Sequence, residues 1–412
     1  MKEGEIMINK KLLSIIENLE EELIKLFHEF HRHPELSNEE FQTTEKIKKL
    51  LTDVEIEVLD LPLKTGVVAE IKGHPNGPVV AIRCDIDALP IIEETNLKYK
   101  SLSEGKMHAC GHDFHIAVVL GAAYLVKKYQ PSLIGTVKFI FQPGEESADG
   151  AKQIIETGVL DDVNVIFGIH NVSDCEVGIM GIKEGAMTAA VDRFEINITG
   201  VGSHAAKPEK SVDPIIIATN IINALQTIVS RNISPADKAL LSVTHIESGN
   251  TWNVIPETAY IEGTVRTLEE DTRKLIPERM KAIIEGISQS YYGKAEFIWH
   301  SGSPATRNDE EWTKFASQLG MIMGYDVKKI TMGLEGEDFA YYQKKIPGVF
   351  IVVGTGVSQA HHHPEYTVDE RAIVKCSKYF ARLSECALKE IVDKNYSSIK
   401  SKDIENNRKN IL

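Results

Sequence analysis

Short apolar segments alternate with helical segments along the first half of this chain. Residues 79–84, 137–141 and 165–169 are apolar runs of strand length. The residue pattern predicts a helix over residues 112–129, between the first two runs, and another over residues 151–157, before the third. This order predicts an α/β domain with a mixed, largely parallel sheet and helices on both faces, because parallel strands need helical crossovers.

From about residue 185 the pattern changes to that of an α+β domain. Residues 193–199 and 259–266 alternate apolar and polar side chains, as half-exposed strands do, and helices are predicted over residues 214–229 and 272–289. Beyond about residue 304 the αβ pattern returns, with a core strand predicted over residues 349–353. We therefore expect one domain built from residues 1–184 and 301–412, interrupted by a second domain of residues 185–300.

The two ends of the chain differ in character. Apolar residues recur at three- and four-residue steps from Leu12 to Phe30, which predicts one amphipathic helix that ends before Pro34. The tail, residues 393–412, is polar and charged, and we expect it to be frayed or disordered.

Net charge and cysteine content limit the classes of partner and compartment. The formal net charge of −14 disfavours nucleic acid and anionic lipid as partners. The most apolar helical stretch, residues 118–126, is too short to span a bilayer, and residues 1–11 lack the apolar core of a signal peptide. Five scattered cysteines, an odd number, argue for reduced thiols, so a cytoplasmic location is expected.

Polar side chains of several kinds follow the predicted strands directly. Asp85 and Asp87 follow the first strand, and Glu145 and Glu146 follow the second. His170 follows the third. Ligands collect at the carboxyl ends of strands in α/β sheets, so these side chains are candidates for one shared site.

The segment MHACGHDFH, residues 107–115, places Cys110, His112 and His115 close together. Three nitrogen and sulfur donors at this spacing are costly to bury unless something binds them. A Cys–His nucleophilic dyad is the alternative, but Cys110 and His112 are too close in sequence to adopt it easily, and it leaves the two glutamates without a role. A structural metal site is disfavoured, because structural zinc is usually tetrahedral and closed, with Cys₄ or Cys₂His₂ ligands. Metal-dependent catalysis is the interpretation that accounts for most residues.

The adjacent glutamates follow a Pro-Gly turn and cannot point the same way. One carboxylate can therefore bind a metal while the other takes a proton from water and passes it to a leaving amine. The run His361–His363 offers three further imidazoles, followed by a proline and an aromatic residue.

Together these segments resemble one known family. In chain order the motifs are CDIDALP, MHACGHDFH, PGEES, GIHN, GVGSHAAKP, NVIPETAYIEGTVRT, LEGEDFAYY and HHHPEYTVDE. They are similar to the M20 metallopeptidase family in its amidohydrolase branch, which includes aminoacylases, hippurate hydrolases and auxin-conjugate hydrolases. The resemblance covers residues 27–374. It implies that the interrupted domain is catalytic and that the inserted domain is a ferredoxin-like lid that dimerises, giving a homodimer or a dimer of dimers.

The resemblance also implies a dinuclear metal centre. Its ligands would be Cys110 as the bridge, His112 and His170 in one site, and Glu146 and His362 in the other. His362 is selected because the family pattern H-x-P-x-aromatic begins there, with His361 and His363 as alternatives. Such ligands suit two divalent ions of Zn, Mn, Co or Ni. Asp85 and Asp87 would orient the ligands or hold the first turn.

The remaining roles also come from the resemblance. Glu145 would be the general acid/base, and His204 would reach across a dimer to stabilise the oxyanion. Asn253 and Arg266 would grip the substrate carboxylate, and Glu337, with Asp338, would line the cleft.

The resulting hypothesis is a deacylase that hydrolyses the amide bond of N-acyl amino acids. A metallo-dipeptidase or carboxypeptidase acting on short peptides is the alternative within the same chemistry. A non-catalytic metal-dependent binding protein is less favoured, because Glu145 and all five ligands are present.

Overall fold

A computed structural model describes residues 9–330 and 332–409, with side chains described as far as residue 394. Residues 1–8, on which the signal-peptide argument largely depends, lie outside the described residues.

Helices and strands cover most of the described residues. The helices are α1 (Lys10–Glu17), α2 (Leu19–Arg32), α3 (Phe41–Thr52), α4 (His112–Lys128), α5 (Gly150–Glu156), α6 (Pro214–Asn232), α7 (Glu270–Ser290), α8 (Glu310–Ile322), α9 (Ala340–Gln343) and α10 (Ala372–Lys409). The strands are β1 (Glu57–Val58), β2 (Val67–Lys72), β3 (Val79–Asp85), β4 (Thr136–Gln142), β5 (Val165–Val172), β6 (Asp174–Cys175), β7 (Ile179–Gly181), β8 (Gly185–Ala186), β9 (Ala190–Thr199), β10 (Ser203–His204), β11 (Ala239–Ser248), β12 (Val254–Ile255), β13 (Thr258–Thr267), β14 (Lys294–Ser301), β15 (Arg307–Asn308), β16 (Asp326–Lys328), β17 (Gly348–Gly354) and β18 (Gly356–Val357).

The chain divides into two compact units. The first comprises Met1–Gly185, Arg307–Ile330 and Tyr341–Leu412, and the second comprises Ala186–Thr306 and Thr331–Ala340. The sequence prediction placed the boundaries after residues 184 and 300, and it gave residues 331–340 to the first domain. That short segment joins the second unit because Ala189 donates its N–H to the carbonyl of Glu335.

The first unit is built on an eight-stranded sheet in the order β1-β2-β4-β3-β5-β17-β7-β16. The four central strands, β4, β3, β5 and β17, are mutually parallel. Strands β2 and β7 join this block antiparallel, on its two sides. The expected fold class, a mixed and largely parallel α/β sheet, is confirmed.

The core of the first unit surrounds this parallel block. Every residue of β3, β5 and β17 is buried, which requires cover on both faces of the sheet. Helix α4 is buried around most of its circumference and packs against α2 and α10. Helix α4, which begins at His112, is therefore enclosed by the elements that pack against it.

Two predictions for the ends of the chain are wrong. The expected single helix from Leu12 to Phe30 is interrupted at Asn18, whose side chain donates to the carbonyl of Ser14 and competes with the helical backbone. The expected disordered tail is helical as far as Lys409. No glycine or proline interrupts residues 372–409, so nothing in the backbone ends the helix earlier. Residues 410–412 of that tail lie outside the described residues.

The second unit has the β-α-β-β-α-β order of a ferredoxin-like fold, given by β9, α6, β11, β13, α7 and β14. Its sheet has the order β11-β13-β9-β14 and is antiparallel throughout. Alternate residues of β13 are buried, and the apolar ones pack with α6 and α7 in one cluster. This half-covered sheet matches the alternation seen in the sequence.

Candidate metal centre

The parallel strands of the first unit bring the predicted site residues to one edge of the sheet. Strand β3 ends at Asp85 and β4 ends at Gln142, directly before the turn that carries Glu145 and Glu146. His170 lies within β5, beside β3. Because these strands are neighbours and parallel, their carboxyl ends lie side by side.

Two groups of donors at this edge share one cysteine. Cys110, His112 and His170 form one group, and Cys110, Glu146 and His362 form the other. Within each group all the donor atoms lie within 4.8 Å of one another. Metal–ligand bonds of about 2.0–2.3 Å would let one cation contact all three atoms of such a group. The structure therefore brings together the five side chains that the sequence predicted as ligands, in the predicted grouping, and their role as ligands stays a prediction.

The hydrogen bonds of these side chains fit metal binding. His112 donates from Nδ1 to the backbone carbonyl of Asp87 at 2.9 Å, so Nε2 is the nitrogen that would bind a cation after losing its proton. His112 Nε2 and Glu146 Oε1 are buried and make no hydrogen bond among the described residues, although His362 Nε2 lies 3.3 Å from Glu146 Oε1. His170 Nδ1 donates to the carbonyl of Asn171 at 2.7 Å, so its Nε2 faces the Cys110 sulfur, 3.6 Å away. Buried polar atoms without partners are rare in native folds, and a bound cation would satisfy both.

The electrostatics of the site favour cations. Burial raises the pKa of the Cys110 thiol, and the nearby carboxylates of Glu146, Glu145 and Asp85 raise it further. Burial alone would lower the pKa of His112, but Asp85 and Asp87 raise it to about 10. The site therefore carries an excess of negative charge, and a cation would offset it and favour the thiolate.

A third group, Asp85, His112 and His115, has the same spacing but different hydrogen bonds. His115 Nδ1 bonds to the Asp85 carboxylate, and its Nε2 accepts the N–H of Asn171 at 3.0 Å. Asp85 also pairs with the buried guanidinium of Arg83 at 2.9 Å. Both ring nitrogens of His115 are thus occupied, so this group supports the centre and offers no third metal site.

The histidine run separates into three environments. His362 Nε2 lies 3.3 Å from Glu146 Oε1. His361 Nε2 instead accepts from the Asn171 side chain at 3.1 Å, and His363 Nδ1 accepts the N–H of Glu365. Of the three imidazoles, His362 is the one grouped with Cys110 and Glu146.

Asn171, which lies beside His170 in the motif GIHN, has no role predicted from the sequence. Its side-chain amide donates to both His361 and the hydroxyl of Tyr366. Asn171 thus connects the segment that carries His170 to the segment that carries His362. Its place next to a predicted ligand in the GIHN motif is the sequence signal that could have identified it.

The predicted substrate-binding residues lie in the second unit. The exposed His204 pairs in register with Val254, and the Ala205 N–H donates to the carbonyl of Asn253, so His204 and Asn253 are neighbours. Arg266 is the last residue but one of β13, at the end of the strand that is farther from β12 in sequence. Partial burial lowers the pKa of its guanidinium. Glu337 and Asp338 are buried, and the Glu337 carboxylate accepts the N–H of Phe339. The second unit thus places His204 and Asn253 next to each other.

No helix among the described residues is long and apolar enough to cross a membrane.

Comparison with known proteins identifies the family. The family described as Peptidase family M20/M25/M40 matches residues 81–385. An N-acetylcysteine deacetylase from Bacillus subtilis is 50% identical over 370 residues, covering 90% of this chain and 97% of that protein. Thermostable carboxypeptidase 1 from Saccharolobus solfataricus is 35% identical over 370 residues, covering 88% and 94% of the two chains.

A solved structure supports the same assignment. The Bacillus subtilis YXEP protein, a dinuclear metal binding peptidase from the M20 family, superposes with a TM-score of 0.83 at 46% identity. The match covers 90% of this chain and 99% of that chain. The resemblance drawn from the motifs is confirmed. The chain belongs to peptidase family M20/M25/M40 and is a hydrolase of that family.

Proposed function

We propose that the protein is a deacylase that hydrolyses the amide bond of N-acyl amino acids at a centre of two divalent metal ions. The observation that carries the proposal is the pair of donor groups that share Cys110, with the Glu145 carboxylate close to His112 and Glu146. The 50% identity to an N-acetylcysteine deacetylase over most of both chains supports the substrate class.

Cys110 would serve both metals, His112 and His170 one of them, and Glu146 and His362 the other. When bound, the cations supply Lewis acidity that polarises the amide carbonyl and makes water easier to deprotonate. One thiolate, three imidazoles and one carboxylate suit Zn, Mn, Co or Ni. Asp87 fixes the tautomer and orientation of His112 through Nδ1.

Glu145 would do the proton transfers. Its neighbour Glu146 belongs to the donor group with Cys110 and His362, so Glu145 would lie beside the cations without being needed as a ligand there. It takes a proton from the attacking water as the new carbon–oxygen bond forms. It then gives that proton to the amine nitrogen as the carbon–nitrogen bond breaks, so the carboxylate is regenerated.

His204 would stabilise the oxyanion, and Asn253, Arg266 and Glu337 would bind the substrate. His204 Nδ1 accepts the N–H of Ala206 at 3.0 Å, so Nε2 carries the proton of the neutral ring and can donate to an oxyanion. We propose that this exposed imidazole acts at the site of a partner subunit, in a homodimer or a dimer of dimers. Arg266 can pair with the free carboxylate of the substrate through its planar fork. The five free cysteines support a reducing compartment, the cytoplasm.

A carboxypeptidase or dipeptidase is the second candidate, supported by the 35% identity to thermostable carboxypeptidase 1. Both reactions break an amide bond next to a free carboxylate. They differ in the group on the acyl side, which carries a free amine in a dipeptide and none in an N-acyl amino acid.

The test is a hydrolysis screen on metal-free protein refilled separately with Zn, Mn, Co and Ni. N-acetyl amino acids, N-benzoyl amino acids and free dipeptides are offered, and the released amine is quantified. We expect the N-acyl substrates to be cleaved, and loss of the general base in Glu145→Gln to cost about 10²–10⁴ in kcat. The exposed Glu156→Gln variant is the matched control. Cleavage of dipeptides alone would favour the second candidate, and full activity of Glu145→Gln would refute the mechanism.

A further inference from the structure

A buried carboxylate outside the metal centre holds the turn that carries Glu145. Glu40, at the start of α3, is fully buried. Its Oε1 accepts the N–H of Gly144 at 2.8 Å and the N–H of Asn38 at 2.9 Å. Its other oxygen, Oε2, accepts the hydroxyl of Thr65 at 2.7 Å.

A second buried carboxylate, that of Asp87, binds the same turn at the residue after Glu145. Asp87 Oδ2 accepts the N–H of Glu146 at 3.1 Å and the hydroxyl of Ser37 at 2.6 Å. The peptide N–H groups immediately before and immediately after Glu145 are therefore each bound by a carboxylate from a distant part of the chain.

The turn needs such support because its backbone is irregular. Gly144 has φ +57° and Ala148 has φ +57°, a left-handed conformation that is unfavourable for alanine. Neither a helix nor a strand covers residues 143–149. Asn38 adds a further bond from its side chain to Asp149 at 3.2 Å. Strained turns persist where the surrounding structure fixes them, and here residues 37–40 supply much of that structure.

We propose that Glu40 is a positioning residue for the hydrolysis: its bond to the Gly144 N–H fixes the turn from which Glu145 reaches the reacting water. This inference rests on the proposed function of Glu145. Glu40 acts through the backbone, so its removal should misplace Glu145 and leave the five donor side chains available.

The two carboxylate oxygens of Glu40 have different partners, so variants can remove one bond and keep the other. This separates the positioning role from a merely structural one. Thr65→Val removes the bond to Oε2 and leaves the bond to Gly144 in place. Glu40→Gln can still accept both N–H groups at Oε1, while its amide nitrogen donates to the Thr65 hydroxyl. Burial and the charge of Asp87 raise the pKa of Glu40, so both oppose a charge at this position, and a neutral amide avoids that penalty. Glu40→Ala removes all three bonds.

The experiment measures kcat, KM, metal content and hydrogen exchange of the peptide covering residues 142–149 in the full-length, metal-loaded variants. For Glu40→Ala we expect kcat to fall about 10²-fold from misplacement alone, with metal content unchanged and KM within about threefold. Exchange of the 142–149 peptide should be faster in that variant. Glu40→Gln should restore both kcat and protection to near wild type, and Thr65→Val should keep kcat while losing stability. If Glu40→Ala does not fold, Glu40→Asp, which shortens the side chain away from Gly144, takes its place.

Two results would overturn the inference. One is a kcat in Glu40→Ala within about twofold of wild type, since misplacement costs far more. The other is a loss of kcat in Thr65→Val as large as that in Glu40→Ala, because the loss of kcat would then follow from lower stability and not from the bond to Gly144. The exchange measurement separates this failure from failure of the proposed function. If the wild type cleaved no amide substrate, protection of the 142–149 peptide would still show whether Glu40 holds the turn.

Discussion

Gly111 offers a sharp test of how the metal centre is built. It lies between Cys110 and His112 at the start of α4, with φ +83°. A Cβ atom placed on it would lie 2.4 Å from Asn171 Oδ1 and 2.9 Å from Asn171 Cγ. Asn171 is fully buried and holds His361 and Tyr366, so it has little room to give way.

The cost of Gly111→Ala has two parts. A left-handed conformation costs an alanine about 1–2 kcal/mol. Overpacking against Asn171 adds about 1–3 kcal/mol. Gly105 is the matched control, because it has φ +71° but no atom within 4 Å of its added Cβ. Gly105→Ala should therefore cost only the first part, about 1–2 kcal/mol.

The assay is urea unfolding of both variants, together with metal content per subunit and kcat. We expect Gly111→Ala to lose about 2–5 kcal/mol in total and to lose metal, because its Cβ displaces the segments that carry Cys110, His170 and His362. Gly105→Ala should keep its metal and its kcat. Equal destabilisation of the two variants, with metal content unchanged in both, would refute the reasoning.

Two further predictions concern buried charges. Arg273→Leu leaves the fully buried Asp192 without its bidentate partner, so the free energy of unfolding should fall by about 3–5 kcal/mol. The double variant with Asp192→Leu should be less destabilised than the sum of the single variants, and strict additivity in urea unfolding would contradict the pairing. Burial alone would lower the pKa of His31, but Asp113 and Glu93 raise it to about 9. Its contribution to stability should be complete below pH 6.5 and lost as the pH rises through about 9. The stability advantage of the wild type over His31→Gln should shrink across that range, and a constant difference would count against a charged His31.

The parts of the fold that follow from repeating patterns could be predicted from the sequence. The strand predicted over residues 137–141 is observed as β4, and the helix predicted from residue 112 is α4, because buried strands and helices have regular apolar spacing. The clustering of Asp85, Glu146 and His170 follows from the same reasoning, since parallel neighbouring strands end at one edge.

Other features depend on contacts that have no local pattern. The break at Asn18 is made by one side-chain hydrogen bond inside an amphipathic repeat that continues across it. Glu40 looks like a surface glutamate in LSNEEF, and only the positions of Gly144 and Thr65 make it a buried acceptor. Residues 331–340 join the second unit through backbone hydrogen bonds, which any sequence could form.

The number of metal ions bound by Cys110→Ala tests the central claim most directly. Cys110 belongs to both donor groups, so its removal should weaken both predicted sites, whereas removal of any other predicted ligand should weaken one. After equilibrium dialysis against a divalent metal at low free concentration but in molar excess over the sites, the wild type should hold two ions per subunit. Cys110→Ala should hold neither tightly, and Cys386→Ala, a control at a half-buried free cysteine, should hold two. Retention of two tightly bound ions by Cys110→Ala would contradict the shared-cysteine centre.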